Sequence, residues 1–235
     1  TNIPKSLRDK LSETAYIADV KIVKRYASQL DETVKYVYEL FDGEYIESVL
    51  MKYVHGYTVC VSTQVGCRMG CSFCASGING LTRNLTASEI LAQITAAERD
   101  NGIRVSNIVM MGMGEPLDNF ENSVRFLKLA SDENGLNIGL RHISLSTSGV
   151  VNGIKRLKEY NLPITLSISL HAPNDEIRSS IMRVNKKWNI KELLSACREY
   201  QRVTTRRISF EYALIDGVND SDSCAEQLAR ILKGI

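Results

Sequence analysis

Three cysteines stand in the run Gly66-Cys67-Arg68-Met69-Gly70-Cys71-Ser72-Phe73-Cys74, a CxxxCxxC spacing on a glycine-bounded loop with an aromatic residue before the last thiol. Three thiolates on one short loop can hold three irons of a cubic 4Fe-4S cluster. The fourth iron is then left without a protein ligand and can bind a substrate or cofactor directly. The alternative is a structural zinc site, which wants four ligands and would need His55 or Cys60 to complete the set. A loop that offers only thiolates favours the cluster.

A second chemistry-bearing run follows one unit later, Met110-Met111-Gly112-Met113-Gly114-Glu115-Pro116. Its glycines allow a ligand close to the backbone, and Glu115 could receive an ammonium group; a tight strand-to-helix turn is the plainer explanation. Ser144-Leu-Ser146-Thr147-Ser148-Gly149 and Ser167-Ile-Ser169-Leu170-His171-Ala172-Pro173 each place hydroxyls, and the second an imidazole, where a strand should end. Such groups can bind ribose, carboxylate or base edges, although serine and threonine also commonly cap helices.

The elements that must position these residues alternate. After a short amphipathic helix within residues 1–15, three β-rich runs cover 18–27, 33–40 and 44–51, with Asp42-Gly43 turning the last two into a hairpin. From Tyr57 onward, apolar β-branched strands are expected at 57–62, 107–111, 142–147, 164–170 and 207–214, covered on both faces. Between them, Thr86…Glu89, Asp118…Glu121, Asn189…Glu192 and Ser223…Glu226 read as capping boxes opening helices. Strand–helix alternation implies a parallel sheet with its ligands at the strand carboxyl ends. The fold class is therefore α/β: a partial (β/α) barrel with an N-terminal β-rich extension. Residues 1–52 form the helix and extension, and 53–235 the core.

The chain has 235 residues, 44% hydrophobic and 24% charged, with 29 basic and 27 acidic residues for a net charge of +2. No global basic field demands nucleic acid, so any RNA contact must be local. No run of 18 apolar residues exists, no signal peptide is visible, and six clustered or scattered cysteines in a chain this long suit metal or redox chemistry better than a disulfide scaffold. A cytoplasmic monomer without membrane attachment is expected.

The cysteine spacing, its place after the first core strand and Phe73 resemble the radical S-adenosylmethionine (SAM) superfamily. Further segments narrow the resemblance: Thr58-Val-Cys-Val-Ser-Thr-Gln-Val-Gly-Cys67, Arg83-Asn-Leu-Thr86, Met111-Gly-Met-Gly-Glu-Pro116, Leu145-Ser-Thr-Ser-Gly-Val150, Ser169-Leu-His-Ala-Pro-Asn174 and Asp216-Gly-Val-Asn-Asp220. In order and over nearly the whole chain they look like the RlmN-type dual-specificity RNA adenine methyltransferases. That resemblance implies methylation of carbon 2 of an adenine in 23S rRNA and in tRNA, with a 4Fe-4S cluster and SAM as cofactors and an electron donor such as flavodoxin. It implies cluster ligation by Cys67, Cys71 and Cys74. It implies SAM binding by Gly114, Glu115, Ser146, Ser169, Leu170 and His171. Glu47 falls where the family has its proton-handling carboxylate, expected to be partly buried; from the residues alone it is a solvated strand residue. Cys60 matches the cysteine that resolves a covalent adduct by disulfide formation, where a free cysteine is ordinarily a small buried hydrophobe.

The methyl-carrying cysteine of that family, the last barrel strand and a late asparagine are expected beyond Ile235, and a small helical domain before Pro4. Such a chain would be truncated at both ends, able to bind cluster and SAM but not to complete a turnover. Cys197, mid-helix, and Cys224, at a helix start, are assigned to packing. Lys21, Lys24, Arg25, Lys35, Arg202, Arg206 and Arg207 are candidates for phosphate contact, with solvated basic faces as the plainer alternative. Carbon-8 methylation and a non-catalytic iron-sulfur or zinc RNA-binding module are the rival functions.

Overall fold

The computed structural model describes residues 3–15 and 17–235; the first two positions of the helical segment expected at 1–15 lie outside them. Its frame is one eight-stranded sheet in the order β1-β2-β3-β4-β7-β8-β9-β10. The strands are β1 (Lys21–Ala27), β2 (Val34–Glu39), β3 (Tyr45–Tyr53), β4 (Gly56–Cys60), β7 (Val105–Met110), β8 (Ile143–Thr147), β9 (Thr165–Ser169) and β10 (Ile208–Glu211). The first four pair antiparallel as a meander, and β4, β7, β8, β9 and β10 pair parallel. The extension and the parallel core thus share one hydrogen-bonded sheet, joined where β3 pairs β4.

Helices α2 (Ala87–Asn101), α3 (Phe120–Ser131), α4 (Val151–Tyr160), α5 (Asp175–Ile181), α6 (Ile190–Thr204) and α7 (Asp222–Ile231) follow the parallel strands. Ile90 and Ile94 of α2, Phe126 and Leu127 of α3, Ile154 and Leu157 of α4 and Leu193 of α6 are fully buried against the outward residues Val59, Ile108, Leu145, Leu166 and Ile168. At about 1.5–3 kcal/mol for each buried aliphatic or aromatic side chain, this layer is the main force holding the sheet in its curve. α1 (Lys5–Thr14) buries no residue.

β8 and β9 are covered on both faces as expected, but only one face is apolar. Their sequences alternate, and Ser144, Ser146, Ser167 and Ser169 point to the concave face while the leucines and isoleucines face the helices. A hydroxyl-lined inner face suits a sheet that encloses a ligand rather than a second apolar layer.

Two of the four capping boxes form as read, Thr86–Glu89 on α2 and Asn189–Glu192 on α6. Asp118 does not cap α3; its carboxylate instead accepts Arg68 at 2.8 and 2.6 Å and Gln64 at 3.0 Å. α7 begins two residues earlier than its sequence suggests, with Ser221 capping Cys224 N–H. Helices α4 and α5 and a small antiparallel pair, β5 (Gln64–Gly66) with β6 (Leu81–Asn84), are additions to the expected elements.

The β5–β6 pair carries the cysteine loop at its tip, and Asn119 fastens it to the barrel. The buried Asn119 amide donates to the carbonyls of Thr63 and Leu85, both at 2.8 Å. Replacing Asn119 by alanine removes the donor to the buried Leu85 carbonyl and leaves Thr63 O with the Leu85 N–H alone; we expect a loss of about 2 kcal/mol in urea unfolding, against no measurable change if the pair is held by its own strand bonds.

Candidate active site

The Met111–Glu115 segment leaves β7 and runs hard against the chain leaving β4. Met113 O accepts the N–H groups of Thr63 (2.8 Å) and Gln64 (3.2 Å), Ser62 Oγ accepts Met113 N–H at 2.8 Å, and Gln64 Oε1 accepts Glu115 N–H at 2.8 Å. A β-carbon on Gly114, whose φ is +100°, would sit 2.6 Å from Gln64 Cβ; one on Gly112 would sit 2.7 Å from Ser62 Oγ. These glycines are therefore needed first for the chain's own backbone to approach itself, not only for a ligand.

This packing brings distant parts of the sequence around one cavity of about 160 Å³ at the carboxyl ends of the parallel strands. Cys67, Cys71, Cys74 and Phe73 line one side; Gly114, Glu115, Ser146, Ser169 and His171 line the other. Burial raises the Cys67 thiol, and Glu115, Cys74 and Asp118 add to the shift against the Met69 N–H. Burial with Cys74 and Cys67 pushes Cys71 up to about 11, while Arg178 opposes them. Thiols this close destabilise each other's charged forms, the state a bound cation would relieve.

Glu115 is buried and hydrogen-bonded by the N–H groups of Ser148 (2.6 Å) and Leu117 (3.0 Å). No cation pairs with it among the described residues, and burial holds its carboxyl above the usual carboxylate range. A buried, hydrogen-bonded but unneutralised carboxylate is a receptor for an ammonium group.

His171 adopts φ +56°, uncommon for a residue with a side chain. Its Nδ1 lies 2.9 Å from Ala213 N–H and must accept, which leaves the proton on Nε2. Phe73 meets the ring edge-on at 5.1 Å. Burial, aided by Arg178, lowers the imidazole to about 4. Leu170, by contrast, is buried in the core and does not line the cavity; its carbonyl accepts Arg178 Nε at 3.0 Å.

Glu211, on the last strand, is a site residue that motif reading missed. It accepts Ser169 Oγ at 2.9 Å and Ser146 Oγ at 3.2 Å, and so joins the inward serines of β8 and β9. Its strand, Ile208-Ser209-Phe210-Glu211, carries no motif that would have marked it.

Cys60 and Glu47 lie outside this cavity. Cys60 lines an adjoining hollow of about 520 Å³ that shares Met111 with it, together with Val49, Thr58 and Val109. Burial, reinforced by Glu211, pushes the Cys60 thiol up to about 11. Glu47 sits on the same strand face two residues from Val49, the partner of Cys60. It is not partly buried: its side chain is 48% exposed and pairs with Lys35 at 2.9 Å. His55, the other candidate for a zinc set, stacks on Tyr53 at the β3–β4 turn. All six cysteines are free, and Cys197 and Cys224 are buried as packing residues.

Residues 61–225 match the model of the radical SAM superfamily, and the chain is a member of that class. It is 56% identical over 235 residues to the probable dual-specificity RNA methyltransferase RlmN of Clostridium novyi (strain NT), covering all of this chain and 68% of that one. The same-named protein of Alkaliphilus oremlandii matches equally, at 56% with 68% covered, and that of Clostridium tetani at 53% with 67% covered. A crystal structure of a radical SAM methyltransferase from Sphaerobacter thermophilus superposes with a TM-score of 0.94 at 49% identity, over all of this chain and 70% of the other. The chain belongs to the RlmN family of radical SAM methyltransferases, enzymes that use a 4Fe-4S cluster and SAM.

The residues present fit those groups. Cys67, Cys71 and Cys74 border one cavity, an all-thiol donor set suited to three irons of one cluster. The unneutralised Glu115 across that cavity matches the amino group of SAM.

The His171 assignment has a pH consequence. In the unfolded chain the ring takes its proton near 6.5, but in the fold only near 4. Between these values the unfolded state binds more protons, so stability falls as pH falls through the window and is fully present above it. Asn can accept from Ala213 N–H and tolerates positive φ. Urea midpoints of the cofactor-free protein should decline from pH 6.5 to 4 and decline less in H171N; parallel curves would contradict the buried neutral imidazole.

Proposed function

We propose that the chain directs methylation to carbon 2 of an adenine in 23S rRNA and in tRNA. The observation that carries this reading is the convergence of Cys67, Cys71, Cys74 and Glu115 on one cavity in a chain of this family. When bound, the cluster and SAM supply a hydrogen-abstracting radical, the chemistry suited to an aromatic C–H carbon too weakly nucleophilic for polar methyl transfer.

The chain's own part is placement. Cys67, Cys71 and Cys74 hold the cluster as thiolates. Glu115 takes the SAM amino group, while Gly114 forms the wall beside it. Ser146, Ser169 and His171 offer hydroxyls and an Nε2–H to the rest of the molecule. The inward wall of Val109, Val49 and Met111 keeps water from the reacting edge of the base. Cys60 faces that space as the resolving thiol. Glu47, on the same strand face, handles the proton; its pairing with Lys35 must open for it to do so. Residues 1–52 form the extension that grips RNA and residues 53–235 the radical core.

Lys21, Arg25 and Lys35 of the extension are engaged by Glu39, Asp100 and Glu47, so phosphate contact there exchanges one partner for another, and Lys24 beside them is the better candidate. The remaining assignments are a cytoplasmic monomer reduced by a flavodoxin-like donor. Among the described residues no helix is long and apolar enough to cross a membrane.

Two measurements test this. Loss of the gene encoding the chain should remove 2-methyladenosine from nuclease digests of 23S rRNA and tRNA analysed by mass spectrometry, and reintroduction should restore it; its persistence, or loss of 8-methyladenosine instead, contradicts the assignment. Glu115→Gln keeps the shape of the carboxylate and removes its charge. Calorimetry should show SAM binding at least tenfold weaker, since a charge-assisted hydrogen bond is worth about 1.5–3 kcal/mol; an unchanged Kd would remove Glu115 from the site.

A further inference from the structure

Arg178 is the largest fully buried side chain among the described residues, with no solvent exposure. It lies on α5, whose last residue accepts the Ser72 N–H of the cysteine loop at 2.9 Å, Ile181 O being the acceptor. Cys71 packs with Ala172, Ile181 and Met182 around the same helix end. The guanidinium donates to the carbonyls of Leu170 (3.0 Å), Ser148 (2.6 Å) and Ser169 (3.2 Å) and to Asn185 Oδ1 (3.0 Å).

All four acceptors are neutral oxygens. A buried guanidinium is normally matched by a carboxylate, but the nearest acidic group in its network, Asp175, is reached only through Asn185. Its charge is felt by Cys71 and His171 on the cavity side. Burial draws its pKa down to about 10, which leaves it charged at neutral pH. Ser148 stands between the two unneutralised groups: its carbonyl takes Arg178 and its N–H binds Glu115.

A cluster held by three thiolates carries net negative charge, and an added electron deepens it. Fixed positive charge in a low-dielectric setting favours the reduced form, and net charge is one of the levers on cluster potential. We propose that Arg178 is a positioning residue whose buried, unpaired charge beside Cys71 makes the cluster easier to reduce, while its hydrogen bonds fix the β8 and β9 ends that wall the cofactor site. This rests on cluster ligation by Cys67, Cys71 and Cys74.

The test is a redox titration of the anaerobically reconstituted protein, followed by the electron paramagnetic resonance of the reduced cluster, in the parent, Arg178→Lys and Arg178→Gln. The glutamine variant should bind iron yet show a more negative midpoint, with the reduced-to-oxidised ratio at fixed potential down about tenfold, or about 59 mV for one electron. The lysine variant keeps the charge but loses the fork, and should stay within about threefold of the parent. Equal midpoints in all three overturn the proposal, as does a lysine variant shifted as far as glutamine, which would mark hydrogen bonding alone. If the glutamine variant does not fold, Arg178→Met takes its place as the charge-removing variant, with the same expected shift and the same overturning result. A parent protein that binds no iron fails the cluster assignment itself, and this inference with it.

Discussion

The site depends on one close backbone approach. Gly112 and Gly114 let the segment leaving β7 lie against Ser62–Gln64, and the hydrogen bonds to Met113 O, Ser62 Oγ and Gln64 Oε1 lock the two together. Everything chemical is hung on this contact. Gln64 opens the β5–β6 pair that carries the three thiols, and its amide also reaches Asn84 and Asp118. Glu115 follows Gly114 directly. A side chain at either glycine would push the thiol loop and the carboxylate apart, since its β-carbon would meet backbone at 2.8 Å as well as Gln64 Cβ or Ser62 Oγ.

The second organising feature is charge left uncancelled. Several surface cations are paired with carboxylates: Arg68 with Asp118, Arg83 with Asp42 and Glu89, Arg99 with Asp19. Around the cavity the pattern reverses. Glu115 and Arg178 are both buried, both satisfied by neutral hydrogen-bond partners, and neither meets an opposite charge. Buried charges in this state cost stability and are kept where a ligand completes them. The thiols, raised by burial and by one another, belong to the same unfinished set.

Much of this was legible in the residues. The CxxxCxxC spacing, the Gly-Met-Gly-Glu turn and the serine-rich strand ends all reach one cavity, because short motifs at strand carboxyl ends are positioned by the parallel sheet itself. The inward serines of β8 and β9 could have been seen in their alternation with leucine and isoleucine. Arg178 and Glu211 could not be separated from ordinary helix and strand charges, since their partners are backbone carbonyls and hydroxyls far away in sequence. Asp118 was misread as a cap because its true partners, Arg68 and Gln64, are about fifty residues distant. Glu47 shows the converse: its strand face was predictable, but its exposure and its pairing with Lys35 follow from β2–β3 register.

The most direct test of the account is whether the thiol loop and the rest of the cavity act as one site. Iron and sulfide reconstitution under anaerobic conditions, with iron counted per chain and the reduced spectrum recorded before and after SAM, addresses this. The account requires about four irons per chain, their loss when Cys67, Cys71 and Cys74 are replaced together, and a spectrum that changes on SAM addition. A full iron complement in the triple variant, or a loaded parent whose spectrum ignores SAM, would contradict it.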